Sequence, residues 1–277
     1  MSGVLFVFLP LVVAYGATLW WVVESWFHEG SYWSHGPLVP VVVIAVIWLR
    51  RAQWRTQASH WDPRGWILLL PALLLHLAGA ALMVDSLSGA SLVLAVPGAA
   101  WLALGRQRLR GSWPALWFVA FAIPLPIFVS GRLVFELKEI VVNAAIGLSN
   151  LLGVALTRSG AELHVPGQKE TLLVADPCGG LNSLLSLLTL GYCVAFFVGE
   201  TGLRRRLAIL LLAGPIAILV NVARVTGICL LANWKGVPWA STTGHDLLNV
   251  CEWVLALMLL YVVDRYVSRW VTKSGGT

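Results

Sequence analysis

Three residues in this chain carry side chains that could together perform acyl transfer. Cys178 lies in Asp176-Pro177-Cys178-Gly179-Gly180-Leu181-Asn182-Ser183. Asp176 suits a helix N-cap and Pro177 a first turn, so the thiol is expected at a helix N-terminus, where the peptide dipoles favour the thiolate. Gly179 and Gly180 leave backbone N–H groups open to a bound substrate. Arg224 lies in Asn221-Val222-Ala223-Arg224, roughly 17 residues into an apolar run, or about 26 Å along a helix. An arginine inside a span is costly and marks function by default. Asn221, three residues earlier, shares its helix face. His245 lies in Thr242-Thr243-Gly244-His245-Asp246, where the last apolar run begins, with Asp246 beside it. In such a set the thiolate attacks a carbonyl. Arg224 and the helix amides hold the oxyanion, and His245 carries a proton to the leaving amine. Each residue also has a structural reading: a buried free cysteine, an arginine snorkelling to the headgroups, a solvated loop histidine. Their common depth in the membrane favours the chemical one.

That common depth follows from the elements expected around them. Eight spans are expected, over 4–23, 37–49, 65–84, 87–104, 113–129, 179–198, 207–232 and 247–264. Arg50, Arg51, Arg55 and Arg64 follow the second span, and Arg106, Arg108 and Arg110 the fourth. Arg204, Arg205 and Arg206 separate the sixth and seventh, and Arg265, Arg269 and Lys273 lie in the tail. If the spans alternate, all of these fall on one side, which is then the cytoplasm. Both termini are expected there, in a multi-pass protein of the inner membrane whose active site faces outward.

The opposite side carries 24–36, 130–177 and 233–246. Residues 132–156 read as an amphipathic helix interrupted by Glu136, Lys138, Glu139 and Asn143, and are placed at the outer interface or dipping into the membrane. Residues 161–175 turn strand-like, with Pro166 and Gly167 marking a short hairpin. The expected fold is therefore an all-α integral membrane protein of about eight helices with one outer hairpin. With no repeat and no linker, 1–277 reads as a single transmembrane domain.

Composition narrows the function. Hydrophobic residues make up 58% of the chain and charged residues 12%, about half the charge of a soluble domain. The net charge of +6 sits in short clusters between apolar runs, which indicates membrane orientation and argues against nucleic acid. The four cysteines form no CxxC pair, and no HExxH occurs, so neither a redox pair nor a metal is expected. No cofactor is expected either. The competing reading is a multi-pass transporter or channel, for which His76 is the best mid-membrane polar candidate; a lone histidine there is more often a packing residue.

In order and spacing, Cys178-Gly179-Gly180, Asn221-Val222-Ala223-Arg224 and His245 resemble the motifs of the exosortase/archaeosortase family of membrane-embedded cysteine transpeptidases. Tyr32-Trp33-Ser34-His35-Gly36 is similar to that family's early Ser-His-Gly motif. The chain departs from the pattern at Pro177, Gly179, Asn182 and Asn249. The resemblance implies Cys178, Arg224 and His245 as catalytic residues, and Gly179, Gly180, Asn182, Asn221, Asp246 and His35 as supporting or substrate-binding ones. It also implies the partners: the lipid bilayer, exported proteins bearing a PEP-CTERM-like signal (motif, transmembrane helix, basic tail), and an acceptor nucleophile.

Overall fold

The computed structural model describes residues 2–52, 60–160, 162–173, 180–198 and 202–274. Two compact units make up the chain, Met1–Ser130 and Gly131–Thr277.

In the first unit, α1 (Ser2–Ala14) and α2 (Gly16–Phe27) cover the residues of the first expected span and meet at a 70° bend at Tyr15. A polar cluster explains the break. The Tyr15 hydroxyl shares a 2.8 Å hydrogen bond with Ser91 and reaches the Ala72 carbonyl at 3.4 Å. The Tyr15 ring stacks on His76, with centroids 3.9 Å apart. Ser88 bonds both Thr18 and His76 at 2.6 Å. His76 is thus a satisfied packing residue. The next helices are α3 (Leu38–Leu49), α4 (Trp66–Ala81), α5 (Asp85–Leu104) and the short α6 (Trp113–Trp117), which tightens into a 3₁₀ turn, Phe118–Ala122. α4 and α5 pack backbone to backbone. A Cβ on Gly79 would lie 2.6 Å from the Ser88 nitrogen, and one on Gly98 2.7 Å from the Leu69 nitrogen. Small residues at such crossings let membrane helices approach without a water-driven hydrophobic term.

The second unit begins on α7 (Ile127–Leu151). A small antiparallel sheet follows, β1 (Thr157–Ser159), β2 (Glu162–His164) and β3 (Thr171–Leu173), in the order β1-β2-β3. The expected hairpin is the β2–β3 pair, which aligns Leu163 with Leu172 around the Pro166-Gly167 turn. β1 was not anticipated. Arg158 fastens it to α7 through bonds of 2.9 and 2.5 Å to the Glu139 carboxylate. Leu163, fully buried, sits in one cluster with Val141, Val142 and Ala145 of α7 and Val225, Ile228 and Cys229 further on.

Three helices complete the unit: α8 (Leu181–Phe197), α9 (Leu203–Lys235) and α10 (His245–Ser274). α9 packs on both α8 and α10. Near the start of α9, buried Arg205 bonds Asp264 of α10 at 2.7 Å. It also donates to the carbonyls of Val194 and Val198, at 3.4 and 3.1 Å. A cation is well placed there, against the last carbonyls of α8.

Among the described residues, four helical segments are long and apolar enough to cross a membrane: Pro63–Ala81, Asp85–Leu104, Leu203–Lys235 and Val237–Trp270. Over the other four expected spans lie two bent helix pairs, which bring the number to six if each pair is one span, and two shorter apolar helices, α3 and α8. Phe6, Val13, Leu211 and Leu219 remain exposed, as lipid-facing side chains should. The protein is an all-α membrane protein carrying one small sheet.

Candidate active site

The site is built where α8 begins, beside the second half of α9 and the first turns of α10. α8 starts at Leu181, with Gly180 as its N-cap. The sequence had suggested a start at Asp176 and Pro177. The later start has a local cause: Gly180 has φ +80°, a left-handed conformation that an α-helix cannot continue through. The Gly180 carbonyl accepts the first helical bond, from the Leu184 amide at 2.8 Å. Cys178 and Gly179 lie outside the described residues, as do Asp176 and Pro177.

Gly180 also touches α9. A Cβ at this position would collide with the side-chain amide of Asn221, itself buried at 1% exposure. The start of α8, two residues after Cys178, is therefore set against the turn of α9 that carries Asn221 and Arg224. Asn182, in the first turn of α8, accepts a 3.3 Å hydrogen bond from Ser186.

Arg224 is buried, and its partner is one that the sequence reading missed. Its Nη1 donates to Glu252 Oε2 at 2.6 Å, and both side chains are 5% exposed. Asn249 Oδ1 lies 3.4 Å from the same nitrogen. The snorkelling reading of Arg224 is thereby excluded. Among the described residues, its Nε and Nη2 have no hydrogen-bond partner, and neither has Glu252 Oε1. A guanidinium can grip a carboxylate through two parallel bonds. Here it uses one nitrogen, leaving donors on the arginine and an acceptor on the glutamate. Glu252 could have been found in the sequence: it is a carboxylate well inside the last apolar run, whose other one, Asp264, stands at its end, and a buried Arg224 needs a countercharge.

α10 orders the remaining groups. His245, Asn249 and Glu252 are spaced four and three apart, which puts them on one helix face. His245 thus lies one turn from Asn249, which contacts Arg224. A π-helical turn, Ala240–Gly244, leads into His245. Such turns often accompany functional positions. His245 Nδ1 lies 3.5 Å from Asp246 Oδ1, and Asp246 is 89% exposed, so this contact is weak. Beside Glu252 a narrow cleft of about 10 Å³, room for about one water, lies between the three helices, lined by Ser183, Leu187, Ala217, Val220, Trp253 and Ala256 with Glu252.

His35 belongs to the first unit. It is buried, and its Nε2–H donates to the Phe121 carbonyl at 3.1 Å. Next to it, Trp26 Nε1 donates to the Ala122 carbonyl at 2.7 Å. Gly36 fits because a Cβ there would strike the Trp26 ring. The Ser-His-Gly segment therefore ties the loop after α2 to the 3₁₀ turn. Burial pushes the His35 pKa below its ordinary value, and the Phe121 bond partly opposes this. Of the other cysteines, Cys229 is buried in the cluster under the sheet, Cys193 is half-buried and Cys251 is exposed.

The structure thus brings Gly180, Asn221, Arg224 and the His245–Asn249–Glu252 face to one end of the α8–α9–α10 group. No curated protein and no solved structure matches the chain. One family model does, that of the transmembrane exosortases, over residues 7–262. That stretch takes in every helix described above except the two ends, and with them all the sequence motifs, so the chain belongs to the transmembrane exosortase family.

Proposed function

We propose that this exosortase-family protein is a cysteine transpeptidase with Cys178 as nucleophile, acting as one domain in the inner membrane with its site on the extracytoplasmic side and both termini in the cytoplasm. Its substrates are exported proteins that end in a short motif, one transmembrane helix and a basic tail. The Cys178 thiolate adds to the carbonyl carbon of the scissile peptide. Arg224 holds the resulting oxyanion, assisted by the first amides of α8. The C–N bond then breaks, and the departing amine takes a proton from His245, leaving the acyl group on sulfur as a thioester. An acceptor amine next attacks the thioester, gives its proton to His245 and frees Cys178. Water in place of the acceptor would give hydrolysis.

The observation that carries this reading is the buried guanidinium of Arg224, held by Glu252 through one nitrogen with two others unspent among the described residues. Donors fixed in a low-dielectric site are what a developing oxyanion requires. The Gly180–Asn221 contact supports it, because it sets the segment just after Cys178 against that same part of α9. Membrane confinement adds to the rate: a helix-borne signal arrives at fixed depth and orientation, a gain of several kcal/mol in order-of-magnitude terms.

The test replaces Cys178 by Ala in the native host and follows, by mass spectrometry of C-termini, surface proteins ending in one span plus an Arg-rich tail. Their accumulation uncut is the expected result. Unchanged cleavage would remove Cys178 as the nucleophile.

A further inference from the structure

Glu252 has two carboxylate oxygens with different surroundings. Oε2 receives Arg224 at 2.6 Å. Oε1 is buried without a hydrogen-bond partner among the described residues, on a side chain 5% exposed that lines the cleft between α8, α9 and α10. Leaving a charged acceptor unmatched in a membrane interior is expensive, and so is leaving the Arg224 Nε and Nη2 donors unmatched. The two deficits adjoin, and they are complementary: donors on one residue, an acceptor on its partner.

A single peptide residue satisfies both. In an extended strand a residue turns its own N–H and C=O to the same side, and a neighbouring strand meets them with one acceptor and one donor. We propose that the Arg224–Glu252 pair is a peptide clamp that reads one extended residue of the substrate. Arg224 takes the carbonyl that is attacked, and Glu252 Oε1 accepts the N–H of the same residue. Extended peptides are bound in this way by exposed sheet edges. Here two side chains from neighbouring helices form an edge one residue long. The substrate residue just outside the signal's helix must then be unwound and must carry an N–H, so proline is excluded from it.

This inference rests on the transpeptidase reading, and the experiment separates the two. The probe is a host surface protein that ends in one span plus an Arg-rich tail. The residues just before its span are replaced one at a time by proline, and processing is followed by pulse-chase in cells carrying wild-type enzyme, Glu252→Gln or Cys178→Ala. A glutamine can keep its oxygen on Arg224, but it then turns an NH₂ group toward the cleft. With Glu252→Gln, processing per enzyme molecule should fall about tenfold or more. One proline position should be as damaging in the wild type and add nothing in Glu252→Gln. Should Glu252→Gln fail to accumulate, Glu252→Asp, which keeps the charge and withdraws the oxygen from the cleft, takes its place with the same expectations. Wild-type processing by the Glu252 variant would overturn the clamp, and so would proline effects that multiply with it at every position. If Cys178→Ala still processes the probe, the transpeptidase reading fails with it. If Cys178→Ala is dead while Glu252→Gln processes normally, the clamp alone fails.

Discussion

The α-carbon of Gly180 lies against the side-chain amide of Asn221, with no room between them for a methyl group. Gly180 is also left-handed, at φ +80°. Gly180→Ala therefore adds about 1–2 kcal/mol of backbone strain to a steric collision, and the start of α8 must shift away from α9. The expected outcome is a loss of substrate processing of about tenfold or more with near-normal protein in the membrane, read by immunoblot of both enzyme and substrate. Full processing would show that this contact does not set the position of Cys178.

Arg224→Ala leaves Glu252 buried without its countercharge. Breaking a buried pair in this way costs about 3–5 kcal/mol. The double variant Arg224→Met with Glu252→Met should recover most of that stability, since apolar replacement of a whole pair is often neutral. It should recover no processing. Arg224→Lys should likewise fail to process, because the ammonium keeps the charge but loses the planar donor set. Thermal unfolding of detergent-solubilised protein and substrate processing, measured side by side, check both halves. An active Arg224→Lys would reduce Arg224 to a charge or an anchor.

Asp246 is 89% exposed and 3.5 Å from the His245 ring. Exposed ion pairs contribute little. Asp246→Asn should therefore change the processing rate by less than about threefold, whereas His245→Ala should abolish processing. A large Asp246→Asn effect in pulse-chase would assign Asp246 an orienting role.

His35 gives a pH dependence with a definite sign. Its pKa in the folded protein is below the ordinary 6.5 because the ring is buried. Between the two values the unfolded chain binds the extra proton, so stability rises with pH across that window. The contribution is complete above 6.5 and is lost as pH falls from there through the lowered folded value. Between about pH 8 and pH 5, wild-type protein should lose more of its unfolding midpoint than His35→Gln, which cannot titrate there. Equal losses in the two proteins would assign the acid sensitivity to another group.

Much of this architecture is legible in the residues themselves. Four of the apolar runs mark helices long enough to cross the bilayer, and Pro166-Gly167 marks the β2–β3 turn. Arg224 stands out because a charge inside such a run needs a reason. What stays hidden depends on contacts between distant residues. The bend at Tyr15 follows from a hydroxyl that seeks Ser91, seventy-six residues away. β1 exists because Arg158 finds Glu139. The true start of α8 depends on a glycine pressed against Asn221. The Arg224–Glu252 pair joins two helices whose crossing no periodicity reveals, although either charge alone raises the question of its partner.

Arg205 has a consequence for movement. It ties α9 to α10 through Asp264 and also holds the last carbonyls of α8. Far along α9, Arg224 joins α10 again through Glu252. α9 and α10 are thus tied by ion pairs at two levels, and Arg205 also fixes the Phe197 end of α8. With that end as a pivot, α8 is a lever of about 25 Å, so a few degrees of tilt there would displace Gly180 by an ångström or more.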